Sequence, residues 1–176
     1  MVERILDEAA RIFVERGYAA TTTNDVAASA DVSIGSLYQY FPNKDALLVG
    51  LAERHLDDAI PAFDALSAQL RAESPDLDHL VRAFVAAAHE LNQPEALHEL
   101  LWRAPRTDAL LATLSTFEAT MAAEVEWHLR RLGHDDERVA TRARLVVEIV
   151  EVGVHGPPDP ARTDELTALL TTALAR

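Results

Sequence analysis

At 176 residues with 49% apolar side chains, the chain has room for one ordinary domain or for a small domain followed by a larger one. It has no cysteine, which excludes disulfides and thiolate metal sites, and no apolar run of about 18 residues or basic-flanked leader, so a soluble cytoplasmic protein with no membrane partner is expected. A net charge of -13 excludes an indiscriminate nucleic-acid binder, and the first fifty residues share the bias, with Arg4, Arg11, Arg16 and Lys44 against Glu3, Asp7, Glu8, Glu15, Asp25, Asp31 and Asp45.

Val2 to Arg16 places Ile5, Leu6, Ala9, Ile12 and Phe13 on one side, the pattern of an amphipathic helix, with Gly17 at its C-cap. A short helix follows from about Thr23 to Ser29. Thr22 is its N-cap, and Asp25, three residues on, is the acidic half of a capping box. After a turn at Ala30-Asp31-Val32, Ser33 caps a second short helix, Ile34 to Tyr40. Leu37 and Phe41 fall at helical spacing and point inward, which leaves Gly35, Ser36, Gln39 and Tyr40 outside. Small, amide and phenolic groups on one exposed helix suit a DNA major groove. Gln39 can pair with adenine, and Ser33 and Ser36 suit phosphate or base contact. Gly35 permits close approach. Thr22 and Thr23 can face phosphate, and Asn24 can reach a base edge or the backbone. Pro42-Asn43-Lys44 ends this helix and caps the next. Lys44, the only lysine, sits in a first turn where the helix dipole disfavours a cation, and a nearby phosphate would resolve the conflict.

The run from about Ile5 to Leu48, with Gly17-Tyr18, Thr21-Thr22, Val26-Ala27, Val32-Ser33, Gly35, Leu37-Tyr38-x-Tyr40-Phe41 and Asn43-Lys44-x-x-Leu47-Leu48, resembles the DNA-binding domain of TetR-type transcriptional regulators. The resemblance assigns Tyr38 and Tyr40 to DNA, largely phosphate, and puts Ile34 at a base-contact position, where it offers an apolar contact. Asp31 stands where the family usually has Gly, and Asp tolerates the left-handed turn better than most residues.

The next helix is expected from Lys44 to Ile60, carrying Leu47, Leu48, Leu51, Ala52 and His55, with Pro61 kinking or breaking it. It links a helix-turn-helix domain, residues 1–45, to a second domain, residues 46–176, and is the expected lever between them. Breakers at Ser74-Pro75, Gln93-Pro94, Ala104-Pro105, Leu132-Gly133 and the polar loop Gly156 to Pro160 separate helices at about Asp76–Asn92, Glu95–Arg103, Thr107–Leu132, Asp136–Gly153 and Thr163–Ala175. The fold expected is all-α, of nine helices in two domains. Leu145, Val146, Val147, Ile149, Val150, Val152 and Val154, followed by Leu166, Leu169, Leu170 and Leu174, exceed what one core-facing stripe needs. A single deeply buried helix explains them, or a two-fold four-helix interface between copies, which a two-fold DNA site favours.

In length and helix count the second domain resembles the family's ligand-binding half, which implies a partly apolar small-molecule effector. Its pocket candidates are Phe84, His89, His98, Trp102, Phe117, Met121, Trp127 and Glu148, although any aromatic there can equally be core and Glu148 can pair with Arg144. No cofactor motif, glycine-rich phosphate loop or zinc pattern occurs, and the acid pairs lie at helix ends, so nothing supports an enzyme. The reading is a homodimeric repressor joined through its last two helices, bound to a palindromic double-stranded operator and released by a ligand. The alternative is a protein-interaction module that has lost useful DNA affinity.

Overall fold

The structure is a computed structural model and describes residues 1–92, 95–155 and 159–175. Among these the chain is all-α: α1 (Val2–Arg16), α2 (Thr23–Ser29), α3 (Ile34–Tyr40), α4 (Lys44–Glu73), α5 (Leu77–Leu91), α6 (Glu95–Arg103), α7 (Asp108–Arg131), α8 (Val139–Val154) and α9 (Pro160–Leu174). The capped boundaries fall where the local chemistry puts them. Gly17 closes α1 at φ 83°. Thr22 and Asp25 form the full capping box, and the Ser33 hydroxyl accepts from the Ser36 amide. Asp31 takes the turn at φ 51°, as an aspartate in place of glycine can.

Three boundaries depart by three residues or more from the sequence reading; at one of them α8 starts at Val139 rather than Asp136. Pro61 does not end α4, which runs on to Glu73. The proline removes one backbone hydrogen bond, but helix on both sides is held by buried side chains, from Leu47, Leu48 and Leu51 before it to Phe63 and Leu70 after it. α9 starts at Pro160 rather than Thr163, because the Asp159 carboxylate accepts from the Ala161 and Arg162 amides and proline suits a first helical position. The expected break at Gln93-Pro94, and Gly156 to Pro158 of the expected polar loop, lie outside the described residues.

The chain divides into two compact units. The first comprises Met1–Asp57 and Pro94–Leu114, so it takes in α6 and the start of α7 as well as the helix-turn-helix segment. Its core is Ile5, Ala9, Phe13, Val26, Leu37, Phe41, Leu47 and Leu51, joined by Leu100 of α6. A second small cluster unites Leu48 and Ala52 with Leu101, Ala104 and Leu110. These contacts fix α2 and α3 against α1 and the start of α4.

The second unit comprises Asp58–Gln93 and Ser115–Arg176. Here α5 packs against α8 and α9. Gly153 lets α8 meet α9 closely: a Cβ there would lie 2.5 Å from Leu166 Cδ2. Val146, Val150 and Val154 of α8 enter the core with Leu166, Leu170 and Leu174, and Val147 packs partly against it. Leu145, Ile149 and Val152 remain outside at 47%, 46% and 56% exposure, with Leu169 of α9 at 61%. The apolar surplus of α8 is therefore split. One stripe builds this unit's core, and a second, at i, i+4 and i+7, faces solvent.

Candidate nucleic-acid interface

The helix-turn-helix presents α3 outward, anchored by fully buried Leu37. Tyr38 and Tyr40 are 48% and 49% exposed, and Gly35 and Gln39 are exposed beside them. Asn24, Gln39 and Tyr40 have no hydrogen-bond partner among the described residues, so their polar groups are free for an external one. The hydroxyls are more constrained. Thr22 Oγ1 accepts from the Asp25 amide and donates to Asp25 Oδ2 at 2.6 Å, so it has no hydrogen to offer a phosphate. Thr23 Oγ1 and Tyr38 Oη lie 3.0 Å apart, as Ser33 Oγ and Ser36 Oγ do at 2.8 Å. Each pair uses one hydroxyl hydrogen internally and retains one for an outside acceptor. The first pair also fixes the Tyr38 ring against α2. Ile34 is half-buried and packs on the core of this unit, so its side chain is shared between that core and any base contact.

Lys44 is where geometry departs most from the sequence reading. Its Nζ donates to the carbonyls of Tyr18 at 2.7 Å, Thr21 at 2.9 Å and Ala19 at 3.4 Å, and lies 4.3 Å from the centre of the Tyr18 ring. These carbonyls, rather than a phosphate, offset the unfavourable dipole. Asp45 accepts from the Tyr18 hydroxyl, and burial together with that carboxylate pushes the phenol's pKa well up. Lys44 thereby clamps the α1–α2 loop onto the start of α4.

Several acids of this unit are paired with its own cations, although its net charge stays negative. Arg11 bridges Glu8 and Glu15 and donates to Ser29, and Arg54 ties Asp7 and Glu3 of α1 to α4. Arg4 donates to the Asp31 carbonyl. The outward helix itself, Ile-Gly-Ser-Leu-Tyr-Gln-Tyr, carries no charge. It can therefore read a groove through amide, hydroxyl and close backbone contact, with little long-range attraction to phosphate.

Gly35 supports that use. Nothing in the fold requires a glycine there: a Cβ would meet only Ser33 Oγ, at 3.9 Å. Helical glycine costs about 0.5–1 kcal/mol against alanine. Gly35→Ala is expected to raise the melting temperature and, if α3 enters a DNA groove, to weaken duplex binding roughly tenfold by holding the helix off it. Thermal melts and duplex titrations on the same preparation check both signs.

The eight pocket candidates do not converge. His98 and Trp102 belong to the first unit, where the His98 ring lies 6.3 Å from that of His55 and the Arg106 guanidinium lies over Trp102. In the second unit Glu148 is exposed on a shallow groove of about 160 Å³ with Ser115, Glu118, Ala119 and Arg144, and His89 Nε2 meets Thr163 Oγ1 at 3.0 Å. Phe84, Phe117, Met121 and Trp127 share one neighbourhood. Phe63 lies 6.4 Å from Phe84 and 5.7 Å from Phe117, and Met121 packs on the same core.

The sequence reading passed over three residues beside them. Glu124, 7% exposed, accepts from Arg71 Nε at 2.9 Å and Nη2 at 2.5 Å, and His128, 2% exposed, sits one turn on with its ring 4.8 Å from Trp127. The Glu-x-x-x-His spacing on one helix face was the available signal. Arg71 holds the Glu124 carboxyl below its ordinary range, and burial lowers the His128 pKa from 6.5. A group whose folded pKa is depressed contributes stability above its unfolded pKa and loses it as pH falls through the folded one. His128 should therefore make stability decline as pH drops below about 6.5, with Glu124 acting only at lower pH. Melts from about pH 7 to 5.5 should show this slope in the parent and a flatter one in His128→Gln.

Comparison with known proteins places these features. Residues 5–51 match the family model for bacterial regulatory proteins of the tetR family. The HTH-type transcriptional repressor KstR of Rhodococcus jostii is 30% identical over 174 residues, covering 84% of this chain and 81% of the repressor. An uncharacterized HTH-type transcriptional regulator in the dhlA 5' region of Xanthobacter autotrophicus is 26% identical over 177 residues, covering 98% of this chain and 87% of the relative. The solved structure of the fatty acid degradation regulator FadR from Bacillus halodurans superposes with a TM-score of 0.72 at 17% identity, covering 97% of this chain and 94% of the other.

Proposed function

The chain belongs to the tetR family of bacterial regulatory proteins and is a DNA-binding transcriptional regulator, and on that premise we propose that it is a dimeric repressor of a palindromic operator, released by a small-molecule effector. The observation that carries the DNA part is the exposed, uncharged face of α3, with Gln39 and Tyr40 unpaired and Tyr38 steadied by Thr23. Gln39 reads a base, and Tyr38, Tyr40, Ser33, Ser36 and Thr23 hold the backbone. The outward stripe of Leu145, Ile149 and Val152, with Leu169, supplies the two-fold interface. Two copies then set their α3 helices in successive major grooves, about 34–36 Å apart. The effector acts in the second unit, and α4, one continuous helix from Lys44 to Glu73, carries its effect toward α3. How far the equilibrium moves depends on the ligand's relative affinity for the two states.

Two substitutions test the assignment on duplexes selected from a randomised pool. Tyr40→Ala is expected to weaken binding to every selected sequence alike, and Gln39→Ala to relax preference at one position per half-site, by about 1–3 kcal/mol of discrimination. Unchanged affinity and preference in both variants would remove α3 as the reading element.

A further inference from the structure

One buried carboxylate of the second unit stands between two groups that can each carry a positive charge. Glu124 is 7% exposed, and Arg71 of α4 holds it bidentately, from Nε at 2.9 Å and Nη2 at 2.5 Å. His128, one turn along α7, brings Nε2 to 3.2 Å from Glu124 Oε1 but makes no hydrogen bond there. The two competitors differ in access to water. The Arg71 side chain is 48% exposed and that of His128 only 3%. Trp127 lies against both. Its ring is edge-on to His128 at 4.8 Å, with Arg71 Cζ over it at 4.6 Å and Arg131 Cζ at 5.5 Å.

We propose that Arg71, Glu124 and His128 form a proton-operated latch between α4 and α7: when His128 takes up a proton, the Glu124 carboxylate turns to it and lets go of Arg71, which swings into solvent and uncovers Trp127. A protonated imidazole carries N–H on both nitrogens, and a buried cation with no carboxylate bonded to it is costly. Glu124 is the anion within reach. The charges acting on the ring are Glu124 and Arg131 of α7 and Arg71 of α4, while α5 presents the Phe84 ring at 6.3 Å. Before proton uptake Arg71 and Glu124 cancel. Afterwards one carboxylate faces three cations, and the surplus is relieved by the one that water can take. His128 is walled off from solvent and cannot leave. Arg71 is already half in water and loses little by moving. Burial lowers the His128 pKa from 6.5, so the latch is closed at neutral pH and opens on the acid side of that value. α4 thus has two states against α7 in this unit, selected by a proton.

The test uses the full chain with Trp102→Phe, which leaves Trp127 as its one indole. Acrylamide quenching measures the cover on Trp127, and proton NMR follows the His128 imidazole, whose signals are identified by their loss in His128→Gln. Between about pH 7.5 and about pH 5 the quenching constant is expected to rise roughly twofold, with the midpoint of His128, as one of two stacked guanidiniums leaves. His128→Gln is expected to keep the low value throughout, and Arg71→Ala the high one. A carboxylate that simply accepted from both groups would leave Trp127 covered while His128 titrates. That result overturns the latch, as does a rise that survives in His128→Gln or a His128 that stays neutral down to about pH 5. Loss of helical circular dichroism at the same midpoint overturns it too, since the transition is then unfolding. If Arg71→Ala does not fold, the parent and His128→Gln decide alone.

Discussion

Ile149→Asp is expected to yield a folded monomer that binds operator at least about a hundredfold more weakly than the parent. Ile149 is 46% exposed and lies on the outward stripe of α8, while the same helix holds its own unit through Val146, Val150 and Val154. A carboxylate at this position therefore touches no core residue of the protomer. In a two-fold interface it meets its own copy across an apolar contact, and burying two like charges there costs several kcal/mol. Without the dimer each α3 must find its half-site alone, and the gain from tethering the second is lost. Sedimentation gives the state of assembly, circular dichroism the fold, and duplex titration the affinity. A variant that stays dimeric and binds normally would move the interface off α8.

Lys44→Met is expected to cost about 2–3 kcal/mol of stability and to weaken binding to all duplexes without changing its salt dependence. Three carbonyls, those of Tyr18, Ala19 and Thr21, lose their donor, and the loop that leads into Thr22 and Thr23 loosens. A lysine that held phosphate would behave differently: its removal would lower the salt slope by about one and leave the melting temperature nearly unchanged. Urea unfolding and a salt series on the variant separate the two roles.

The helix-turn-helix was legible because its determinants are local. Thr22 with Asp25, Ser33 with the Ser36 amide, Gly17 and Asp31 each act within a few residues, and each stands where sequence reading put it. The contacts of Lys44 were hidden for the opposite reason. The carbonyls that explain it come from residues more than twenty positions earlier, and only the folded loop brings them near. The same limit scattered the pocket candidates. His98 and Trp102 sit on a helix whose Leu100 and Leu101 pack into the first unit, a partnership that chain order hides. Pro61 was overvalued as a breaker because buried contacts on both sides outweigh one lost hydrogen bond. Arg71, Glu124 and His128 escaped notice because apolar periodicity weighs the residues between them and treats a polar residue as surface. α8 was the instructive intermediate case. Its apolar residues exceeded what one core-facing stripe needs, and the structure shows which side chains stay in and which remain outside.

The central claim is that this chain reads DNA as a symmetric dimer through α3. Selection of bound duplexes from sheared genomic DNA of the source organism, at low and at moderate salt, tests it most directly. An inverted repeat with half-sites about one helical turn apart should be recovered, and an uncharged reading helix should leave little nonspecific background at either salt. No enrichment at either salt, from protein shown to be folded and dimeric, would contradict the account and point to a protein partner instead.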